Sequence, residues 1–394
     1  MSTLKVDAIR HNSATSDAIT TAADGTCTAK LTDVGGSQLS NRRINVNGAM
    51  TISQKGTTAT GNADNGYPLV TDMVNYRRTR GSSGTTWTVS NIAQTPTTLS
   101  PFTNFTRWTQ AGTVQNAPND TSTKLQYGIE GQDMAHAMWG QSSAKPCTLS
   151  FYVRSSQTGT FCIWVADSNT NYNYIIEYTI SAANTWQRVT HTIPGPTSGT
   201  FNINNTAAIK FYFIIAGHAA SSTYGGGTKN VWNTSGRWTS NQSTAVSANA
   251  GATWDLTGIQ FEVGDTATSF EYRSHADELA RCQRYFFNIT GDNGSRTGIP
   301  GYANATNELR CMVQFPVPMR ALPTVSGSST AMVFDSQDDS ASFNCSSLVA
   351  GGAPTTSNPT QMCIEVSTSG MTNGQGGQLE FRAANGFINF SAEL

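Results

Sequence analysis

At 394 residues the chain is longer than one ordinary core and implies two or three domains. Charged residues make up 12% of it, about half the share of roughly 25% usual in globular chains, and a net charge of −1 argues against the basic face that nucleic acid demands. Hydrophobic content is only 37%, yet 8 Trp, 12 Tyr and 17 Phe at a net charge of only −1 separate the chain from intrinsic disorder.

Thr, Ser, Asn and 36 Gly fill the deficit. β-branched and aromatic residues fit pleated surfaces while Asn and Gly make tight turns, so an all-β chain is expected. No window approaches about 18 consecutive apolar residues, so no membrane insertion is expected. The start, Met1-Ser2-Thr3-Leu4-Lys5-Val6-Asp7, lacks an apolar stretch of signal-peptide length, and synthesis and assembly in a cytoplasm are expected.

In chain order, residues 1–40 are polar, with Leu4, Val6, Ile9, Ile19, Leu31 and Val34 spread thinly. Such a segment buries too little surface to offset its ordering entropy. It either orders on docking or shares a core with identical chains, and Leu4, Val6, Ile9 and Ile19 are its candidate attachment residues. From 41 to 274, strand signals alternate with turn clusters. Leu149, Phe151 and Val153 share one face; so do Phe161, Ile163 and Val165, with Cys162 and Trp164 opposite. The runs 172–180 and 209–215 are apolar on both faces, as strands between two covering layers would be. Many short strands without intervening helices predict a β-sandwich of jelly-roll type. Residues 217–251, rich in Ser, Asn and Gly, read as a long loop.

Residues 274–287 read as a helix, with Ser274 and Asp277 as its capping box and Leu279, Cys282 and Phe286 at helical spacing. Cys311, Val313, Phe315 and Val317 alternate in a strand, and further strands are expected at 362–366, 379–382 and 387–390. Residues 275–394 are therefore expected to hold a linking helix and a smaller β domain. The seven cysteines are odd in number and lack a C-x-x-C pair, which predicts buried free thiols.

Three stretches together resemble phage and prophage tail proteins with a carbohydrate-binding-module-like jelly roll. The first is Asn45-Val46-Asn47-Gly48-Ala49-Met50-Thr51-Ile52-Ser53-Gln54-Lys55-Gly56-Thr57. The second is Leu149-Ser150-Phe151-Tyr152-Val153-Arg154-Ser155-Ser156, running on to Trp186 and Thr192-Ile193-Pro194-Gly195. The third and most specific is Gly258-Ile259-Gln260-Phe261-Glu262-Val263-Gly264, followed by Phe270-Glu271 and the helix Cys282-Gln283-Arg284-Tyr285. The resemblance covers roughly residues 41–323 and implies a virion tail fibre, usually a homotrimer, attached to other tail proteins by its N-terminus and to host surface glycan or receptor elsewhere. The shared motifs are framework positions, so the resemblance transfers no glycan-binding residue, and function has to be argued from a site.

For chemistry the sequence offers little. There is no H-E-x-x-H, G-x-S-x-G or P-loop, and His11, His136, His191, His218 and His275 are scattered without ligand spacing, so no metal or cofactor is expected. His191 alternates with Val189 and Ile193 and reads as structural. A polysaccharide-cleaving tailspike would need two carboxylates about 5–10 Å apart. Glu130 with Asp133, and Asp335 with Asp338 and Asp339, are candidates by proximity alone; a loop, a structural cation or a turn explains them equally well.

Sugar C–H faces pack on exposed aromatic rings. Trp232, Trp238 and Tyr224 lie in the polar 217–251 loop, with Trp139 and His218 as possible edges of the same surface; Trp164 and Trp186 are expected in the core. These residues make a non-enzymatic phage adhesin the leading expectation. A purely structural virion component and a cleaving tailspike are the alternatives.

Overall fold

The alternation at Leu149, Phe151 and Val153 becomes the strand Cys147–Ser155, and the neighbouring stretches follow suit. In the computed structural model 46% of the chain is strand and 7% helix. It describes residues 8–9, 19–21, 23, 27–29, 41–62, 70–78, 86–95, 98–114, 123–221, 223–242, 244–292, 294–336, 341–350 and 357–394.

Two antiparallel sheets form the first sandwich. One runs edge to edge Asn173–Ile180, Gly159–Asp167, Ala207–Ala216, Thr123–Glu130, Val74–Arg78. The other runs Gln187–Ile193, Cys147–Ser155, Thr253–Val263, Asn104–Gln110, Trp87–Ala93, Thr58–Asn62. Their inner faces enclose one core containing Trp87, Trp108, Phe151, Phe213, Trp254 and Phe261. The both-sided apolar runs are explained by a second, smaller core on the outer face of the five-stranded sheet. There Cys162, Trp164, Ile175, Tyr212 and Ile214 are roofed by Trp238 from the 217–251 segment.

The strand Thr253–Val263 carries the most specific motif. Trp254 and Leu256 point inward, then Ile259 and Phe261 do, so the two-residue period slips by one. A register shift between Thr257 and Gln260 accommodates the slip, with Gly258 at φ 63° inside the bulge. A Cβ at Gly258 would meet Phe102 at 2.6 Å, which explains the glycine. Gln260 and Glu262 face outward but are buried, because they hold the segment that follows. Glu262 accepts from the Thr268 amide (2.9 Å) and hydroxyl (2.6 Å), and Gln260 accepts from the Glu271 amide (2.7 Å).

That segment in turn clamps residues 43–47. Glu271 accepts from the Arg43 amide (2.8 Å), while Glu278 accepts from the Asn47 amide (2.5 Å) and pairs with the Arg43 guanidinium. Asn45 imitates a neighbouring strand: its Nδ2 donates to the Ile259 carbonyl and its Oδ1 accepts from the Phe261 amide, both at 2.8 Å. A Cβ on Gly48 would lie 2.0 Å from the Ile259 carbonyl oxygen. The motif residues are thus structural stitches, as their framework character implies.

The helix spans His275–Gln283, and the Ser274 side chain accepts from the Asp277 amide (3.1 Å). It ends before the expected 287 because Phe286 and Phe287 enter the strand Phe286–Gly291 and place alternate faces against different neighbours. This strand, Gly386–Ser391 and Thr324–Gly327 form a three-stranded sheet against a seven-stranded one, around a core with Leu309, Phe334, Ile364 and Phe390. The expected C-terminal strands appear as Gln361–Ser367, Gly376–Phe381 and Gly386–Ser391. Cys147, Cys162, Cys282, Cys311, Cys345 and Cys363 are free and buried. At the N-terminal end Ala8–Ile9, Ile19–Thr21 and Cys27–Ala29 pair as a small sheet with Ile9 opposite Ile19; Leu4, Val6 and His11 lie outside the described residues.

The chain returns at 392–394 to the first sandwich, where Leu394 packs on the main core and Glu393 pairs with Lys55, both side chains 3% exposed. Burial lifts the Glu393 carboxyl above its ordinary range despite Lys55, and lifts Asp72 beside it likewise. The native chain therefore keeps protons there at pH values where the unfolded chain has released them, and these groups' contribution declines as pH rises through the raised values. Relative to the parent, Glu393→Gln is expected to gain stability as pH rises above the ordinary carboxylate range, about pH 4, in thermal unfolding. A parent–variant difference that stays flat as pH rises would contradict the assignment.

Candidate functional site

Two loops at one end of the first sandwich carry aromatic rings that a single buried carboxylate aligns. Asp167, 2% exposed, ends the strand Gly159–Asp167. Its Oδ1 accepts from the amides of Asn171 (2.9 Å) and Tyr172 (3.2 Å), and its Oδ2 from that of Thr200 (3.3 Å). Tyr172 and Phe201 are thereby fixed beside each other. Gly199, at φ 100°, fits between them, since a Cβ there would meet Tyr172 Cδ1 at 2.6 Å and Phe201 Cε2 at 2.9 Å.

Trp232 completes the group from the 217–251 segment. That segment covers the open edge of Asn173–Ile180, with paired Asn173–Asn233 amide–carbonyl bonds of 2.8 and 2.9 Å. The Trp232 indole N–H donates to the Pro194 carbonyl (2.8 Å). Its ring stacks on Tyr172 (5.4 Å between centroids, 12° between planes) and meets Phe201 edge-on (5.9 Å, 87°). Tyr172, Phe201 and Trp232 are each half-buried, so part of each ring reaches solvent. Ile203 and Val231, 67% and 49% exposed, extend the apolar surface.

On the outer face of the strand Gln187–Ile193, opposite the side on which His191 meets the ring cluster, lies a polar concavity of about 440 Å³ lined in part by Arg188, Thr190, Thr192 and Asp265. At the edge of the rings the Tyr174 hydroxyl lies 3.2 Å from His191 Nε2, with Tyr174 itself packed on Trp232 (5.3 Å). Burial lowers the His191 pKa, favouring the neutral ring, and pushes Tyr174 up to about 12. The cluster offers apolar ring surface edged by the Tyr174 hydroxyl and the His191 ring, a mixture that a polyhydroxylated ligand engages.

Of the aromatic residues singled out in the sequence, the structure brings Trp232 and Trp139 together and places Tyr224 and Trp238 elsewhere, as a second stacked pair. Trp139 is only 5% exposed and backs Trp232 edge-on (5.5 Å, 80°), its N–H donating to the Lys145 carbonyl. It supports the rings and cannot itself present one. Tyr224, 2% exposed, is buried under Trp238. Trp238 has both ring faces occupied: it stacks on Tyr224 (4.9 Å, 7°), and the Lys124 ammonium sits 3.3 Å from its centroid. His218 makes a turn, its Nδ1 accepting from the Ala220 amide (3.0 Å). Trp164 is buried as expected, though in the outer core. Trp186 is half-buried outside the main core, edge-on to Phe105 (5.5 Å) and 4.6 Å from the Arg154 guanidinium.

Two of the carboxylate candidates, Glu130 and Asp335, are committed elsewhere. Glu130 accepts from Arg284 Nη2 (2.6 Å) and Nε (3.0 Å) and from the Tyr285 hydroxyl (2.6 Å), fastening the helix end to the sandwich. Burial raises the pKa of Asp133, with Glu130 adding to the effect. Asp335 accepts from Arg382 (3.1 Å) and Ser342, and Asp338 and Asp339 lie outside the described residues. Among the described residues no group of three His, Cys, Asp or Glu is placed to hold a metal, and no helix is long and apolar enough to cross a membrane.

Tyr172, Phe201, Arg188 and Asp167 were not singled out from the sequence. Tyr172 reads there as the start of a buried strand, and the alignment of two distant loops on Asp167 has no local signature.

No family model and no curated protein matches the chain. Solved structures similar to it include the enzymatically active domain of bacteriophage CBA120 tailspike protein 4 (TM-score 0.29, 11% identity, 56% of this chain but 21% of that one). A family 11 carbohydrate-binding module from Clostridium thermocellum in complex with a β-1,3-1,4-mixed-linked tetrasaccharide scores 0.25 (13% identity, 50% and 91%). A putative sugar binding protein from Bacteroides thetaiotaomicron scores 0.28 (9% identity, 56% and 100%). Likenesses of this size decide nothing about function.

Proposed function

We propose that the chain is a phage tail-fibre adhesin that holds a host surface glycan at Tyr172, Phe201 and Trp232, with no covalent chemistry. The observation that carries this reading is the half-buried cluster of Tyr172, Phe201 and Trp232 aligned by Asp167, with the Tyr174 hydroxyl and His191 at its edge. The engagement of Glu130 by Arg284 and Tyr285, and of Asp335 by Arg382, supports binding over cleavage. The tail-fibre part rests on the combined motifs at 45–57 and 258–285. In this reading residues 1–40, with Leu4, Val6, Ile9 and Ile19, attach to other tail proteins in the virion. Three copies associate, and avidity multiplies weak contacts.

The exposed Ile203 and Val231 favour a second reading, in which the same end contacts another virion protein. Retention of the full chain on immobilised bacterial surface polysaccharides separates the two. Trp232→Ala and, independently, Tyr172→Ala are expected to weaken retention about tenfold, roughly 1.4 kcal/mol, while the protein still melts cooperatively. Folded variants retained like the parent would refute the ring cluster. Release of reducing ends would show a cleaving tailspike instead.

A further inference from the structure

A second concavity, of about 430 Å³, opens where the two β units meet. One wall is the turn Gln54-Lys55-Gly56 of the first sandwich. The other is the outward face of the three-stranded sheet, and strand alternation dictates what it presents. Phe287, Ile289, Ile388 and Phe390 point into the C-terminal core, which leaves Asn288 opposite Asn389 and Thr290 opposite Phe387 toward the groove.

The groove is built on a fixed back. Gln54 Nε2 donates to the Phe286 carbonyl (2.8 Å) and Asn288 Nδ2 returns a bond to the Gln54 carbonyl (2.7 Å). Lys55 is paired with Glu393 and lies over the Phe286 ring (4.6 Å), so its charge is neutralised within the wall. The carboxamides of Asn385 and Asn389 and the hydroxyl of Thr290 make no side-chain hydrogen bond among the described residues. Phe387 keeps 37% of its surface in solvent beside them.

We infer that this groove is a further binding site, for a neutral saccharide of one or two rings. Each carboxamide both donates and accepts, as a sugar hydroxyl does, and the Phe387 ring can meet a C–H face. The volume lies within the range of small-ligand sites, roughly 300–1,000 Å³. An anion is disfavoured, because the one ammonium present is already paired and Asp292 adds a carboxylate at the end of the groove. The site shares no residue with the Tyr172–Trp232 cluster and stands or falls apart from it.

The test uses the full chain carrying Tyr172→Ala and Trp232→Ala, so that binding at the ring cluster does not contribute. Cellobiose, lactose and N,N′-diacetylchitobiose serve as probes in saturation-transfer NMR, with hydrogen exchange followed over 286–291 and 385–391. At least one disaccharide is expected to receive transfer and to slow exchange in both segments. Asn389→Ala and Phe387→Ala should each weaken that binding about fivefold or more, and Thr290→Ala, at an exposed position, provides a third variant that leaves the fold intact. No transfer to any probe, transfer indifferent to all three substitutions, or displacement of the sugar by inorganic phosphate would overturn the assignment.

Discussion

Replacing Glu278 by alanine is expected to destabilise the chain by about 3–5 kcal/mol, because it strands buried positive charge. The Arg43 side chain is wholly inaccessible to solvent and is paired with Glu278, whose own side chain is 5% exposed. Arg273, 8% exposed, lies 3.8 Å from the same carboxylate. Glu278 also accepts the Asn47 amide, so its loss leaves the Arg43 guanidinium and a backbone donor without their acceptor and removes the countercharge of Arg273, which still donates to the Arg43 and Asn45 carbonyls. Urea unfolding of parent and variant measures the effect. Glu278→Gln, which retains the amide contact, should fall between them, and a loss under about 1 kcal/mol for the alanine would show that the clamp on 43–47 contributes little.

The Glu278 clamp also marks how far the sequence can be read. The order Gln260, Glu262, Phe270, Glu271 is legible as one framework because each residue bonds or packs on another in the same short stretch or on 43–48. Strands are legible wherever one face is buried, as at Leu149, Phe151 and Val153, since burial imposes the period of two. The 217–251 segment was misleading for a physical reason. Its Gly, Ser and Asn content is that of an exposed loop, and nothing adjacent in sequence announces that Tyr224 and Trp238 complete a core whose other half is Trp164 and Tyr212. A clue was present all the same. The both-sided apolar runs at 172–180 and 209–215 required a second cover. The ring cluster was half legible: Trp232 stood out by composition, while Tyr172 and Phe201 depend on Asp167 for their alignment.

Trp238→Ala is accordingly expected to act on folding, where a surface sugar contact would act on binding alone. Lys124 is 4% exposed, and its ammonium lies 3.3 Å from the Trp238 centroid and 5.1 Å from those of Trp164 and Tyr212. A desolvated cation–π contact contributes about 2 kcal/mol, and truncating a buried tryptophan costs about 3–5 kcal/mol. Trp238 is only half-buried, which discounts the second figure, so a net loss of about 3 kcal/mol is expected. Trp238→Phe keeps a ring over Lys124 and should recover more than half of it. Glycan retention by whatever fraction of Trp238→Ala stays folded should match the parent, since Tyr172 and Trp232 remain in place. If instead the variant melts with the parent and loses retention, the ring is a ligand contact and the stacked arrangement with Tyr224 and Lys124 does not hold in solution.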